Sequence, residues 1–128
     1  MLIVGLGNPG KSYDNTKHNF GFWALDEFIG RCSLKWESGY GDYVYVKHDN
    51  HVFAKPTTFM NSSGLAVKDL CKHYNQDEVL VVYDDIDLYL SNLRFKSGGG
   101  TGGHKGIESI RHGRTTCRTK LCCCGASI

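Results

Sequence analysis

The run "EVLVVYDDIDL", residues 78–88 of a 128-residue chain, limits the possible folds more than any other stretch. Val79 to Tyr83 is continuously apolar and then meets Asp84, Asp85 and Asp87. A strand without polar alternation is one buried on both faces, as in a parallel sheet covered by helices. The acids then stand at the carboxyl end of that strand, where α/β proteins place their sites.

The rest of the chain supports an α/β reading. Leu2 to Leu6 is a second buried-strand run, closed by glycines. From Phe20 the residues Phe22, Leu25, Phe28, Ile29 and Cys32 recur at helical spacing. "DYVYVKHDNHVFAKP" reads as two strands around a polar turn at His48–His51, a hairpin. Asn61, Ser62 or Ser63 can cap a helix in which Val67, Leu70, Cys71 and Tyr74 follow one face. Arg94 to Lys96 gives a short strand, "SGGGTGGHKG" a loop, and a third helix begins near Ile107. These elements predict a single α/β domain, a twisted mixed β-sheet flanked by helices, over residues 1–110. Residues 111–128, "RHGRTTCRTKLCCCGASI", have no apolar period and are expected to form an unpacked Arg/Thr/Cys-rich tail.

Composition sets the class of partner. With 41% apolar and 22% charged residues, the chain has the balance of an ordinary globular protein. It contains no apolar run of membrane-spanning length. Strand-like sequence starts at Leu2, so no presequence is expected and a cytoplasmic location follows. The net charge of +2 conceals an asymmetry. Residues 1–90 carry 8 Lys/Arg against 12 Asp/Glu, and residues 91–128 carry 7 Lys/Arg against Glu108 alone. A basic end on an acidic body suits a polyanion such as nucleic acid, and equally a solvated charged face. Of the six cysteines, Cys32 and Cys71 sit singly in helix-like segments, where buried thiols are common. Cys122, Cys123 and Cys124 are consecutive and lack the spacing that aims two thiolates at one zinc, so no metal site is expected.

The opening "LIVGLGNPG" has G-x-G-x-x-G spacing at Gly5, Gly7 and Gly10. A dinucleotide site would need a helix directly after those glycines, its N-terminus on the pyrophosphate. Here Pro9-Gly10 and polar "KSYDNTKHN" delay the helix to about Phe20, so that reading fails. What remains is a turn that sets Asn8 above a buried strand. His18 and Asn19 precede the first helix, Asn61 precedes the second, and Asp84 closes a strand. A histidine beside a carboxylate can act as general base, because the carboxylate fixes its tautomer and favours the imidazolium. Asparagine offers a donor and an acceptor, which suits an ester or amide carbonyl and its neighbouring N–H. With no serine or cysteine in a nucleophile elbow, water is the attacking group. Each residue also has a plain structural reading: a turn former at Asn8, an N-cap at Asn61, a capping or surface His18, acids ending a strand in water.

Taken in order, "IVGLGNPG", Tyr13, "KHNFG", "KPTTFMNSSG", "VVYDDIDL" and "FKSGGGTGGHKG" resemble the signature segments of the bacterial-type peptidyl-tRNA hydrolase family, from about Leu2 to Ile110. The resemblance implies a monomeric α/β enzyme, without metal or cofactor, that hydrolyses the ester joining a peptide to the 3′ ribose of tRNA. It implies His18 as the base and Asp84 as its partner. It places Asn8 and Asn61 on the substrate near the ester, Tyr13 and Met60 in the cleft lining, and His104 beside the tRNA 3′ end. Lys96 and Arg94 match basic residues facing tRNA phosphate.

Two features depart from the family pattern. Lys105 stands where the family has asparagine after the histidine of "GGHKG", which keeps donors and loses an acceptor. Lys105 is therefore grouped with the substrate-binding residues, with phosphate attraction gained. Beyond Ile110 the family continues into an Arg-rich apolar strand, a cleft-covering segment and a C-terminal helix. This chain ends instead in the Arg/Thr/Cys tail, as a frameshifted or alternatively spliced reading frame would. On this reading the C-terminal part of the family fold, a sheet strand included, is missing. Two other functions follow from the same residues: a non-catalytic RNA-binding relative of the kind that assists splicing, or an inactive truncated product.

Overall fold

The computed structural model describes residues 1–8, 19–76, 78–89, 92–96, 104–112 and 118–127. Its elements are β1 (Leu2–Gly5), α1 (Phe20–Arg31), β2 (Glu37–Ser38), β3 (Tyr43–His48), β4 (His51–Pro56), a 3₁₀ turn (Met60–Ser62), α2 (Ser63–His73), β5 (Glu78–Tyr89), β6 (Leu93–Lys96), α3 (Lys105–His112) and β7 (Arg118–Ser127). They build a seven-stranded sheet in the order β2-β3-β4-β1-β5-β7-β6. The centre is parallel, with β1 beside β4 and β5 and β7 beside β5. The two margins are antiparallel, β2–β3–β4 on one side and β6 on β7 on the other. The expected mixed sheet is present, and the hairpin turns where His48 pairs with His51.

Alternation along the strands divides the apolar residues between two helical layers. Leu2, Val4, Val52, Ala54, Val79, Val81 and Tyr83 join Ala66, Val67 and Leu70 of α2 and Ile107 and Ile110 of α3 in one buried cluster. On the other face Phe53 and Val46 pack with Leu25 and Ile29 of α1, flanked by Ile3 and Trp36. Gly21 lets α1 lie directly on the sheet: a Cβ there would collide with the Val82 carbonyl and sit 2.5 Å from Leu6 N. That contact brings the start of α1 against the ends of β1 and β5. Among the described residues no helix is long and apolar enough to cross a membrane.

The carboxyl-terminal segment corrects the expectation of an unpacked tail. Arg118–Ser127 forms β7, inserted between β5 and β6, with Leu121, Cys122 and Cys123 all buried. The position that a missing strand would have left open beside β5 is therefore filled. The pattern is hard to read because the strand opens on Arg118, Thr119 and Lys120 and its apolar residues are mostly small cysteines. Strand formation here is driven by the neighbour: β5 spans 12 residues, and its backbone groups need partners on this edge once buried. Lys120 adds an ion pair with Glu78 at 3.1 Å near the start of the pairing. Cys71 also differs from expectation, being engaged in a disulfide rather than standing as a lone thiol.

Candidate active site

The carboxyl ends of β1 and β5 meet the starts of α1, α2 and α3 in one place. Leu6 N donates to the Val82 carbonyl at 2.9 Å, which ties the chain leaving β1 to β5 just before Tyr83 and Asp84. Asn8 follows two residues later, and its side-chain oxygen accepts from the Met60 backbone N–H at 2.6 Å. Because a backbone N–H can only donate, this contact fixes the amide with Oδ1 toward Met60. Nδ2 is thereby directed away and has no partner among the described residues.

Asn19, buried at the start of α1, locks the same turn. Its Oδ1 accepts from Asn8 N at 2.8 Å, and its Nδ2 donates to the Asn8 carbonyl at 3.3 Å. The sequence does not disclose this pairing, although Asn19 adjoins the candidate base His18. The available signal was its position next to His18, directly before a helix.

Asp84 is 2% exposed, and its Oδ1 lies 3.0 Å from His104 Nε2. The other ring nitrogen, Nδ1, accepts from the backbone N–H groups of Gly106 (3.2 Å) and Ile107 (3.4 Å). His104 thus caps α3 through its side chain, doing for two first-turn donors what Ser or Asp more often does. Since Nδ1 must accept, the proton of the neutral ring sits on Nε2 and is donated to Asp84. The Tyr83 ring lies against the imidazole at 4.8 Å between centroids and 72° between planes. The family resemblance implies a place for His104 beside the tRNA 3′ end. The geometry adds a carboxylate and a helix terminus as its immediate partners.

Met60 connects the two halves of the site. Its backbone holds Asn8, its carbonyl accepts from Ser63 Oγ at 2.8 Å, and its buried side chain lies against Gly106 in the first turn of α3. A Cβ on Gly106 would stand 2.6 Å from Met60 Sδ, so the close approach of α3 depends on that glycine. Asn61, next in the 3₁₀ turn, is exposed. Gly64 N donates to Ser109 Oγ at 2.8 Å, which fixes α2 against α3.

The basic residues lie on two elements, β6 and the start of α3. Arg94 is exposed and Lys96 half-buried on β6, the outermost strand beyond β7. Lys105 is exposed in the first turn of α3, its Nζ 3.8 Å from Glu108. His18 and Tyr13 lie outside the described residues. The structure therefore joins Asn8, Met60, Asp84 and His104 in one network and leaves Asn61 at its exposed rim.

A histidine–carboxylate pair and an oriented asparagine, at the carboxyl end of a parallel sheet between helix starts, define an α/β protein with a polar cluster where such sheets place their sites. The comparisons identify the family. The family model for peptidyl-tRNA hydrolase matches residues 2–121, and the chain belongs to that family. It is 50% identical over 109 residues to a peptidyl-tRNA hydrolase of Sulfurimonas denitrificans, an alignment covering 85% of this chain and 59% of the relative. A mutant peptidyl-tRNA hydrolase from Acinetobacter baumannii superposes with a TM-score of 0.89 at 30% identity, over 97% of this chain and 66% of that one. Another structure of peptidyl-tRNA hydrolase from A. baumannii gives 0.85 at 32% identity, over 98% and 67%. The chain thus spans about three fifths of the curated relative it matches.

Proposed function

We propose that this chain hydrolyses the ester between peptide and tRNA in peptidyl-tRNA, in the cytoplasm where translation supplies that substrate. The observation that carries the reading is the buried Asp84, hydrogen-bonded to His104 and joined through Met60 to an Asn8 amide whose Nδ2 has no partner among the described residues. Family membership supports it, and so does the excess of basic residues after position 90.

In the proposed reaction His18 takes a proton from water, and the resulting nucleophile attacks the ester carbonyl. The tetrahedral intermediate collapses, the tRNA 3′ oxygen leaves, and it is reprotonated by the imidazolium. Asp84 favours that imidazolium. Asn8 and Asn61 hold the peptide next to the ester, and Tyr13 and Met60 line the cleft. His104 has both nitrogens occupied, so it meets the tRNA end through its ring rather than through a hydrogen bond. Lys105, Arg94 and Lys96 attract phosphate. No metal or cofactor enters the scheme.

Single-turnover hydrolysis of a peptidyl-tRNA at saturating enzyme separates chemistry from binding. His18→Ala is expected to slow hydrolysis about 10²–10⁴-fold with tRNA binding retained. Asp84→Asn should cost a smaller factor, and Asp85→Asn, the neighbour of opposite alternation, little. Binding of tRNA without turnover by the unaltered chain would replace this reading with that of an RNA-binding relative.

A further inference from the structure

β7 places a thiol under the candidate site. In the parallel register Cys123 stands beside Tyr83, and residues so paired point to the same face of the sheet. Cys123 is 0% exposed, and its Sγ donates to the Tyr83 hydroxyl at 2.8 Å. Tyr83 is buried in the same cluster as Ile107 and Ile110 of α3, and its ring lies edge-on to the His104 imidazole. From the last described strand to the buried carboxylate there is thus one unbroken path, Cys123 to Tyr83 to His104 to Asp84.

We propose that Cys123 is a positioning residue: its thiol pins the Tyr83 phenol in the orientation whose ring props His104 against Asp84. The phenol ring can pivot about its χ1 and χ2 bonds, and a donor fixed on a neighbouring strand removes part of that freedom. The imidazole is already held at both nitrogens, so what the Tyr83 ring controls is the plane in which Nε2–H meets the carboxylate. A larger side chain at 123 would push the ring, and a smaller apolar one would remove this one contact.

The kinetic part of this inference rests on the proposed hydrolysis, and the spectroscopic part does not. The test compares the full chain with Cys123→Ala, Cys123→Ser and Tyr83→Phe. The first readout is the imidazole ¹⁵N and ¹H resonances of His104 without substrate, and the second is single-turnover hydrolysis. The unaltered chain should show one Nε2–H tautomer. Cys123→Ala and Tyr83→Phe should each shift or broaden those resonances and lower kcat about two- to tenfold, the scale of one neutral hydrogen bond, with KM unchanged. Cys123→Ser keeps a donor and should restore both. If Cys123→Ala fails to fold, Tyr83→Phe and Cys123→Ser decide. Unaltered His104 resonances in Tyr83→Phe, or serine performing no better than alanine, overturn the proposal. Altered resonances in a chain that hydrolyses nothing would remove the proposed function and leave the positioning role intact.

Discussion

β1 and β7 hold matching places, one on each side of β5 and both parallel to it, yet only one of them looks like a strand in sequence. Leu2 to Gly5 is apolar throughout, and Leu2 and Val4 are fully buried. β7 opens on Arg118, Thr119 and Lys120, yet still delivers Leu121 and Cys123 into the same cluster. The difference teaches that a strand can be selected by the vacancy it fills. Beside Val81 the register offers Leu121, and beside the large Tyr83 ring it offers the small Cys123, so the volumes match in sequence along the seam. The two flanks also divide the work. The chain leaving β1 carries Asn8 to the Met60 backbone, whereas β7 lies beside Tyr83.

The largest effect should come from removing residues 118–128. That deletion uncovers one whole edge of β5 and separates β6 from the sheet. We expect cooperative unfolding to vanish, measured by circular dichroism and calorimetry, because the loss is comparable with the full stability of a small domain. A truncated chain with an unchanged sharp transition would show that β7 is dispensable. Next in size are Leu121→Ala and its counterpart Val4→Ala on the opposite flank, both at essentially fully buried positions. Leu121→Ala should cost about 2–5 kcal/mol in urea unfolding. A loss within about 0.5 kcal/mol, the range of an exposed position, would return the segment to the status of a tail.

This same seam marks the limit of what the sequence discloses. β1, the β3–β4 hairpin, α1, α2 and β5 are legible because period and burial agree in them, as in "EVLVVY", where every residue from Val79 to Tyr83 is apolar. β7 is not, since its place is set by hydrogen-bond partners 40 residues away, as with Tyr83 and Cys123. In the site, Asp84 and Asn8 could be anticipated from their positions after buried strands. The cap that His104 makes on α3 could not, because that role usually belongs to short oxygen-bearing side chains. The role of Asn19 is hidden for a related reason: its partner is the backbone of Asn8, and backbone partners leave no mark in side-chain motifs. His18 and Tyr13, read from the family resemblance, lie outside the described residues.

A third prediction separates the flanks by kinetics. Asn8→Ala removes the amide proposed to hold the peptide, and it should lower kcat/KM for peptidyl-tRNA about two- to tenfold, largely through a raised KM. On the β7 side, Cys123→Ala should act on kcat alone. Identical KM and kcat patterns in the two variants would erase the distinction between a flank that touches substrate and one that supports the site.

The smallest effect is expected at the outer margin, on β6. Arg94 and Lys96 alternate there with Leu93 and Phe95, and all four side chains are at least partly exposed. They are far along the sheet from Asn8, separated from β1 by β5 and β7. Contacts from this strand would therefore be to phosphate rather than to the ester, adding affinity without base or peptide specificity. Each phosphate neutralised releases condensed counterions, so affinity for tRNA should fall as salt rises. Lys96→Ala should reduce the slope of log K against log salt concentration by about one unit or less, leaving single-turnover hydrolysis at saturating enzyme unchanged. Filter binding across a salt series measures the slope directly. An unaltered slope would place β6 off the tRNA path. A loss of saturated turnover would mean that this margin, like β7, is mechanically coupled to the site through the sheet.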